Sequence, residues 1–484
     1  MYCPVNCGVP PLTASNHSEP KVLLRKRLIP FQLILLMLVL VPISGCSAEP
    51  ADDIQRTLQE KARTGEVISF DSGQRVTVKN GITIPAGVTL DLNGGELIAI
   101  LSNADAAGVR LLSGSAVQNG RISVVSRGTP GTQAGAHSAI LVGGLIGEND
   151  AGPSRYADPS NWRISNVMVQ SDKDISDSNG QGVGAAAIQV NGGAADGLIE
   201  GVTVPDSSVM LGGIMLDWGI VGQLRSDDIA GSRRQFDAQA AYSTHPHNIT
   251  IRDIRIGRLT RPRIAGMGTF GIRLSGVHDI AVENVRIAEV TGAALEHTGG
   301  DLGYEFARQN DKRKAHTGIR ISDVDVTSVS SGFLVRSDSF ADNIARAQTM
   351  GYKPLIAPIA RTDIEFSRIR GRGQNEATGL RLDHQIGGVF NDLILTDFVY
   401  GAVIDEQADK ILLEDAVLTD SRSAAVIVGH PLRPPSNITI LNPRVTGPGR
   451  ATLIRIDRST SVVVSGANAP VIVDHTARRA RVIP

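Results

Sequence analysis

From about residue 66 onward, apolar and polar positions alternate in short runs that return along the chain. Trp162 to Val169, Ile249 to Ile256, Ile280 to Ile287, Ile319 to Val326, Ile411 to Leu418 and Ile438 to Val445 share one pattern. Each carries an Asn or Asp at its centre: Asn166, Asp253, Asn284, Asp323, Asp415 and Asn442. Weaker copies surround Gly201, Arg368 and Asp392. A period of two predicts strands with one buried face. The central Asn or Asp suits a bend that enters left-handed backbone space, so this ladder reads as structural.

A second, shorter strand lies between these copies and is usually opened by glycine. Examples are Gly213 to Leu216, Gly271 to Leu274, Gly332 to Val335, Gly379 to Leu382 and Gly401 to Ile404. The clean repeats are 22 and 23 residues long, from Asp383 to Asp405 and from Asp392 to Asp415. Two or three strands per repeat, with no helices between them, predict a parallel solenoid. Antiparallel barrels or sandwiches need hairpin turns, and Asn-Gly or Asp-Gly signals are few. The expected fold is all-β, a single parallel β-solenoid with an N-terminal capping helix.

The chain before the solenoid reads as an address. Arg25-Lys26-Arg27 precedes an uncharged run from Leu28 to Ile43, which has the length of a signal peptide. Ile43-Ser44-Gly45-Cys46 resembles a bacterial lipobox, with Cys46 as the lipidation site. An ordinary secretory signal cut near Ala48 is the alternative. Both make the protein exported, and in the lipobox reading a lipid anchor is its only membrane contact. Ile54, Leu58 and Ala62 form one apolar stripe, expected to cover an open end of the solenoid. The expected organisation is a signal at 1–45, tether and capping helix at 46–65, solenoid at 66–470 and a tail at 471–484.

Composition narrows the picture. The net charge is −1 over 484 residues, which excludes a globally basic nucleic-acid binder. A mean hydropathy of zero excludes a polytopic membrane protein. The three cysteines are Cys3, Cys7 and Cys46, so no thiol nucleophile, zinc ribbon or disulfide scaffold lies beyond residue 46. The 52 glycines and 4% aromatics fit many short strands joined by tight turns.

Together the repeats and the opening Gly87 to Glu96 segment resemble the right-handed parallel β-helix of the pectin-lyase-like superfamily, over roughly residues 66–470, which implies an all-β, right-handed parallel β-helix. That resemblance implies an extracellular polysaccharide as ligand, with lyases, hydrolases and epimerases all represented. It is weak for the reaction. The chain has no Asn-Thr-Asp, Gly-His-Gly or Arg-Ile-Lys set as in polygalacturonases. It has no Asp-Pro-His-Asp as in mannuronan epimerases and no Arg-x-Pro-x-x-Arg as in pectate lyases.

Candidate chemistry follows the glycine-opened strands. Aligned on their glycines, the repeats place Asn191, Asp217, Ser275, Glu296, Arg336, Asp383 and Asp405 in one column. Trp218, His297, Asp338, His384 and Glu406 come just beyond. Carboxylates stacked one coil apart repel one another, which stability alone does not favour. An Arg and two His among them make proton transfer feasible. Glu296, His297, Arg336, Asp383 and His384 are the catalytic candidates, and Asp217, Trp218, Asp338 and Asp405 are substrate-binding candidates. Insertions at about 219–247, 299–316 and 337–361 leave from the same corner and bring further binding candidates, Tyr304, Lys312 and Lys353.

Three functions stay open. A uronate lyase or epimerase would use Arg336, or calcium held by the acids, to neutralise the C6 carboxylate, and His384 or His297 as base. A glycoside hydrolase or glycosyl-transferring enzyme would take its paired carboxylates from Glu296, Asp383 and Asp405. A binding or export protein would use the column only to hold sugar hydroxyls. The expected partner in each case is a polysaccharide, acidic in the first.

Overall fold

The computed structural model describes residues 51–61, 66–130, 135–145, 156–172, 186–217, 245–262, 268–299, 318–338, 363–447 and 453–484. Residues 48–484 form one compact unit. Among the described residues the chain winds between two large parallel sheets, one of 19 strands and one of 13. A short antiparallel pair, Gly144–Leu145 with Tyr156–Ala157, lies outside them. The chain is therefore a parallel β-helix, as the alternation predicts.

Register makes the core explicit. In the larger sheet Ile199, Ile251, Val282, Ile321, Phe366, Phe390, Leu413, Ile440 and Val464 stack on successive coils. All of them are buried. The central ladder is equally regular, with left-handed φ at Asn166, Gly201, Asp253, Asn284, Asp323, Arg368, Asp392, Asp415, Asn442 and Gly466. Its side chains bond from coil to coil. Asn442 Nδ2 donates to Asp415 Oδ1 at 3.2 Å, and Arg368 forks onto Asp323 at 2.7 and 2.8 Å. These bonds run along the solenoid axis and leave the chemistry of the ladder structural.

The helix Ala51–Lys61 closes one end. Ile54 and Leu58 are buried in the core. Gln55 does what a neighbouring strand would do: Thr83 N donates to Gln55 Oε1 at 2.9 Å, and Gln55 Nε2 donates to Thr83 O at 3.1 Å. Thr83 belongs to Ile82–Ile84, the first strand of the 13-strand sheet, whose outer edge would otherwise lack partners. At the other end both sheets run past residue 470. Val471–Val473 pairs with Ile454–Ile456, and Arg481–Ile483 pairs with Thr460–Ser465. The segment expected as a tail thus continues the coil.

Candidate functional site

The 13-strand sheet positions the candidate residues, and its register revises their alignment. One outward column runs Asn191, Asp217, Ser275, Thr298, Asp338, Asp383 and then Asp405, the residue following strand Tyr400–Ile404. A second, two residues earlier on the same face, runs Met215, Arg273, Glu296, Arg336, Arg381 and Val403. Glu296 and Arg336 belong to the second column, so the single column expected from the glycines is two. Asp338 is the coil neighbour of Asp383.

The physical reason lies in packing. Gly213, Gly271, Gly379 and Gly401 occupy one inward position where a Cβ would lie 2.5–2.9 Å from Ile256, Ile287, Leu395 and Leu418 respectively. On two intervening coils that position is Ala294 and Leu334 instead. There the marker glycines Gly292 and Gly332 sit just before the strands, two positions earlier. Leu334 finds its space opposite Gly371, where a Cβ would meet Leu334 Cδ1 at 2.4 Å. Large and small residues trade sides of the core, and the glycine marker shifts with them.

The register also separates the two histidines. His297 stacks between Leu274 and Ser337 and points into the core, fully buried. Its Nδ1 lies 3.0 Å from Ser337 Oγ, which donates to Gln385 Oε1 at 2.7 Å. Burial pushes the imidazole down to about 4, so it is neutral at working pH and out of reach of a polymer. His297 is a core histidine and not a surface base, and the two His are not at matching coil positions.

His384 remains at the site. It follows Asp383 in a left-handed conformation, φ 49°, with its N–H donating to Glu406 O at 2.7 Å. Its Nδ1 is 3.6 Å from Asp338 Oδ1 and its Nε2 is 3.4 Å from Glu406 Oε1. Contact with the Asp338 carboxylate lifts the imidazole above its ordinary value, against partial burial, with Glu406 and Asp383 adding charge. Asp338 is itself only 2% exposed, so its charge acts on His384 with little solvent screening.

Arginines knit the two columns together. Arg336 donates to Glu296 at 2.9 Å and comes within 3.9 Å of Asp338. Arg273 lies 3.4 Å from Glu296 on its other side. Arg381 donates to Asp383 at 2.7 Å and to Asp405 at 2.8 Å, and Arg433 to Glu406 at 3.0 Å. The stacked acids are therefore held beside one another by guanidinium groups between them. Arg273, Arg381 and Arg433 are additions to the sequence-based set. The first two are the single polar residues inside Gly-Ile-Arg-Leu and Gly-Leu-Arg-Leu, a mark of an outward position in an otherwise apolar strand.

Asp217 lies in the outward column, four coils before Asp383. Trp218, Tyr304, Lys312, Lys353 and Cys46 lie outside the described residues, as do most of the three insertions. The strands ending at Asp217, Thr298 and Asp338 precede those insertions, so all three depart from one corner. Among the described residues, no group of three or more His, Cys, Asp or Glu is arranged to hold a metal ion. No described helix is long and apolar enough to cross a membrane.

No family model matches the chain, and no curated protein matches it. Solved structures do. The tailspike of E. coli bacteriophage HK620, in complex with a hexasaccharide, aligns at 11% identity and TM-score 0.46, covering 89% of this chain and 76% of its own. The periplasmic alginate epimerase AlgG aligns at 11% and 0.42, covering 88% and 82%. The Streptococcus pneumoniae surface adhesin PfbA aligns at 12% and 0.40, covering 90% and 96%. The two parallel sheets make the chain a parallel β-helix protein. A fold does not fix a reaction, so the reaction has to be argued from the site.

Proposed function

We propose that the protein is an exported enzyme that moves a proton on a uronate-containing polysaccharide, as a lyase or a related epimerase. One observation carries this reading: His384 stands between Asp338 and Glu406 on a face where Arg273, Arg336 and Arg381 alternate with acids. A uronate must have its C6 carboxylate neutralised before C5 gives up a proton, and a guanidinium fork matches that carboxylate. Neutral His384 would take the C5 proton, with Asp338 orienting the ring and stabilising the imidazolium. In elimination the C5 electron pair forms the C4–C5 double bond and the C4–O bond breaks. The imidazolium then returns its proton to the leaving oxygen. In epimerisation His384 keeps that proton, later losing it to solvent, and C5 receives another from water on its opposite face.

Lipidation at Cys46 completes this reading by holding the enzyme at a membrane surface. Cys46→Ser would release it from the membrane fraction without unfolding it, and unchanged partition would reject the anchor. The reaction is tested by incubation with a panel of uronate polysaccharides, following the ultraviolet absorbance of an unsaturated product and the appearance of reducing ends. Absorbance supports elimination. Reducing ends without it would assign hydrolysis, with Glu296, Asp383 and Asp405 as the acids to test. Solvent deuterium entering at C5 without either signal would assign epimerisation, and binding with none of the three would make the face a carbohydrate-recognition surface.

A further inference from the structure

Beyond His384 the outward column continues as Asp405, Gly429, Asp457 and Asp474. Gly429 is the one member of that run without a side chain. A Cβ there would meet Asp457 Cβ at 2.8 Å, and its φ of 151° is one that other residues rarely adopt. Gly429 lines an open cleft of about 410 Å³ together with His430, Arg455, Asp457, Arg458, Asp474 and His475 among others. Its acids are each engaged at Oδ1: Asp457 accepts from Arg455 Nε at 2.8 Å, and Asp474 accepts from Thr476 N at 2.8 Å. Its cations keep capacity. Arg458 spends Nη1 on Pro431 O at 2.7 Å, and Arg455 spends Nε on Asp457, so each guanidinium has further N–H groups to offer.

We propose that this cleft is a distal subsite that binds an acidic sugar unit of the same polymer whose reacting unit lies at His384. The proposal rests on the uronate reading above and adds to it where the chain is gripped. Coils stack at about 4.8 Å, so the cleft begins roughly 10 Å beyond the His384 coil and extends to roughly 19 Å. An extended polysaccharide along the column spans that distance with a few further rings. Arg455 and Arg458 then present donors to a carboxylate, while the Gly429 gap admits the ring. The consequence is a preference for long chains set by residues remote from the chemistry.

The test measures binding of trimeric and octameric oligogalacturonates and oligomannuronates to the full chain, with Arg455→Ala/Arg458→Ala as the variant. In the wild type the octamer of the preferred series should bind at least about tenfold more tightly than the trimer, the effect of one good charged contact. The double variant should lose that advantage, with trimer binding and melting temperature unchanged. Equal octamer affinity in both proteins would overturn the subsite and leave the uronate reading standing. No binding of any oligomer to the wild type would overturn both. A matching loss for neutral cello-oligosaccharides would overturn the acidic character of the cleft.

Discussion

His384 holds a left-handed φ, a conformation more common for Asn, Asp and Gly, and it does so at the corner where Asp338 and Glu406 converge. Its raised pKa has a sign that can be followed. The ion pair contributes stability fully below about pH 6.5, the ordinary value, and that contribution is lost as pH rises through the higher folded value. A base role needs the neutral ring, so turnover should climb over the same rising window. Asp338→Asn should move the rate profile to lower pH, and His384→Ala should lower kcat by about 10²–10⁴. A profile that Asp338→Asn leaves in place would separate Asp338 from the chemistry. His297 has the opposite sign. It is buried neutral with a value near 4 against 6.5 unfolded, so about 3 kcal/mol of stability is lost as pH falls from 6.5 to 4. His297→Gln should flatten that acid limb in urea titrations; an unchanged limb would assign the loss to other groups.

At the scale of the strand, the larger sheet was legible because its alternation and its Asn/Asp bends are both written in residue types. The stack through Ile251, Val282, Ile321 and Ile440 follows from them directly. Val282→Asp there would bury an unpaired carboxylate at a cost of several kcal/mol. The smaller sheet was legible in existence and wrong by two residues on two coils. Glycine marked volume in that sheet, and volume can be exchanged across the core. Gly371 and Leu334 are the exchanged pair, and the neighbouring coil has Val326 and Ala294 at the equivalent positions. Gly371→Val should therefore destabilise by about 1–3 kcal/mol through overpacking. Adding Leu334→Ala should recover most of that loss, because it recreates the Ala294/Val326 combination. Denaturant midpoints of the two variants decide it, and additive losses would contradict the exchange. Arg273, Arg381 and Arg433 escaped sequence reading for a related reason: their pairing with acids on other coils depends on that register.

Across the whole solenoid each coil touches mainly its two neighbours, so stability is a chain of local interfaces whose ends need separate treatment. The end closed by Ala51–Lys61 has Leu58 fully buried and Gln55 bonded twice to Thr83, which together replace a missing coil. Gln55→Ala would strand a part-buried donor and acceptor and should cost about 1 kcal/mol. Leu58→Asp should do more, since it places a charge against the first coils. In a solenoid that damage should stay near the end it strikes. Hydrogen exchange on Leu58→Asp is then expected to show lost protection at Arg75–Lys79 and Ile82–Ile84, with Ile386–Thr396 protected as in the wild type. His384 lies beside that distant strand, so turnover should survive the same substitution. Uniform loss of protection would mean that the coils unfold as one unit, and the cap would then hold up the site as well as the end.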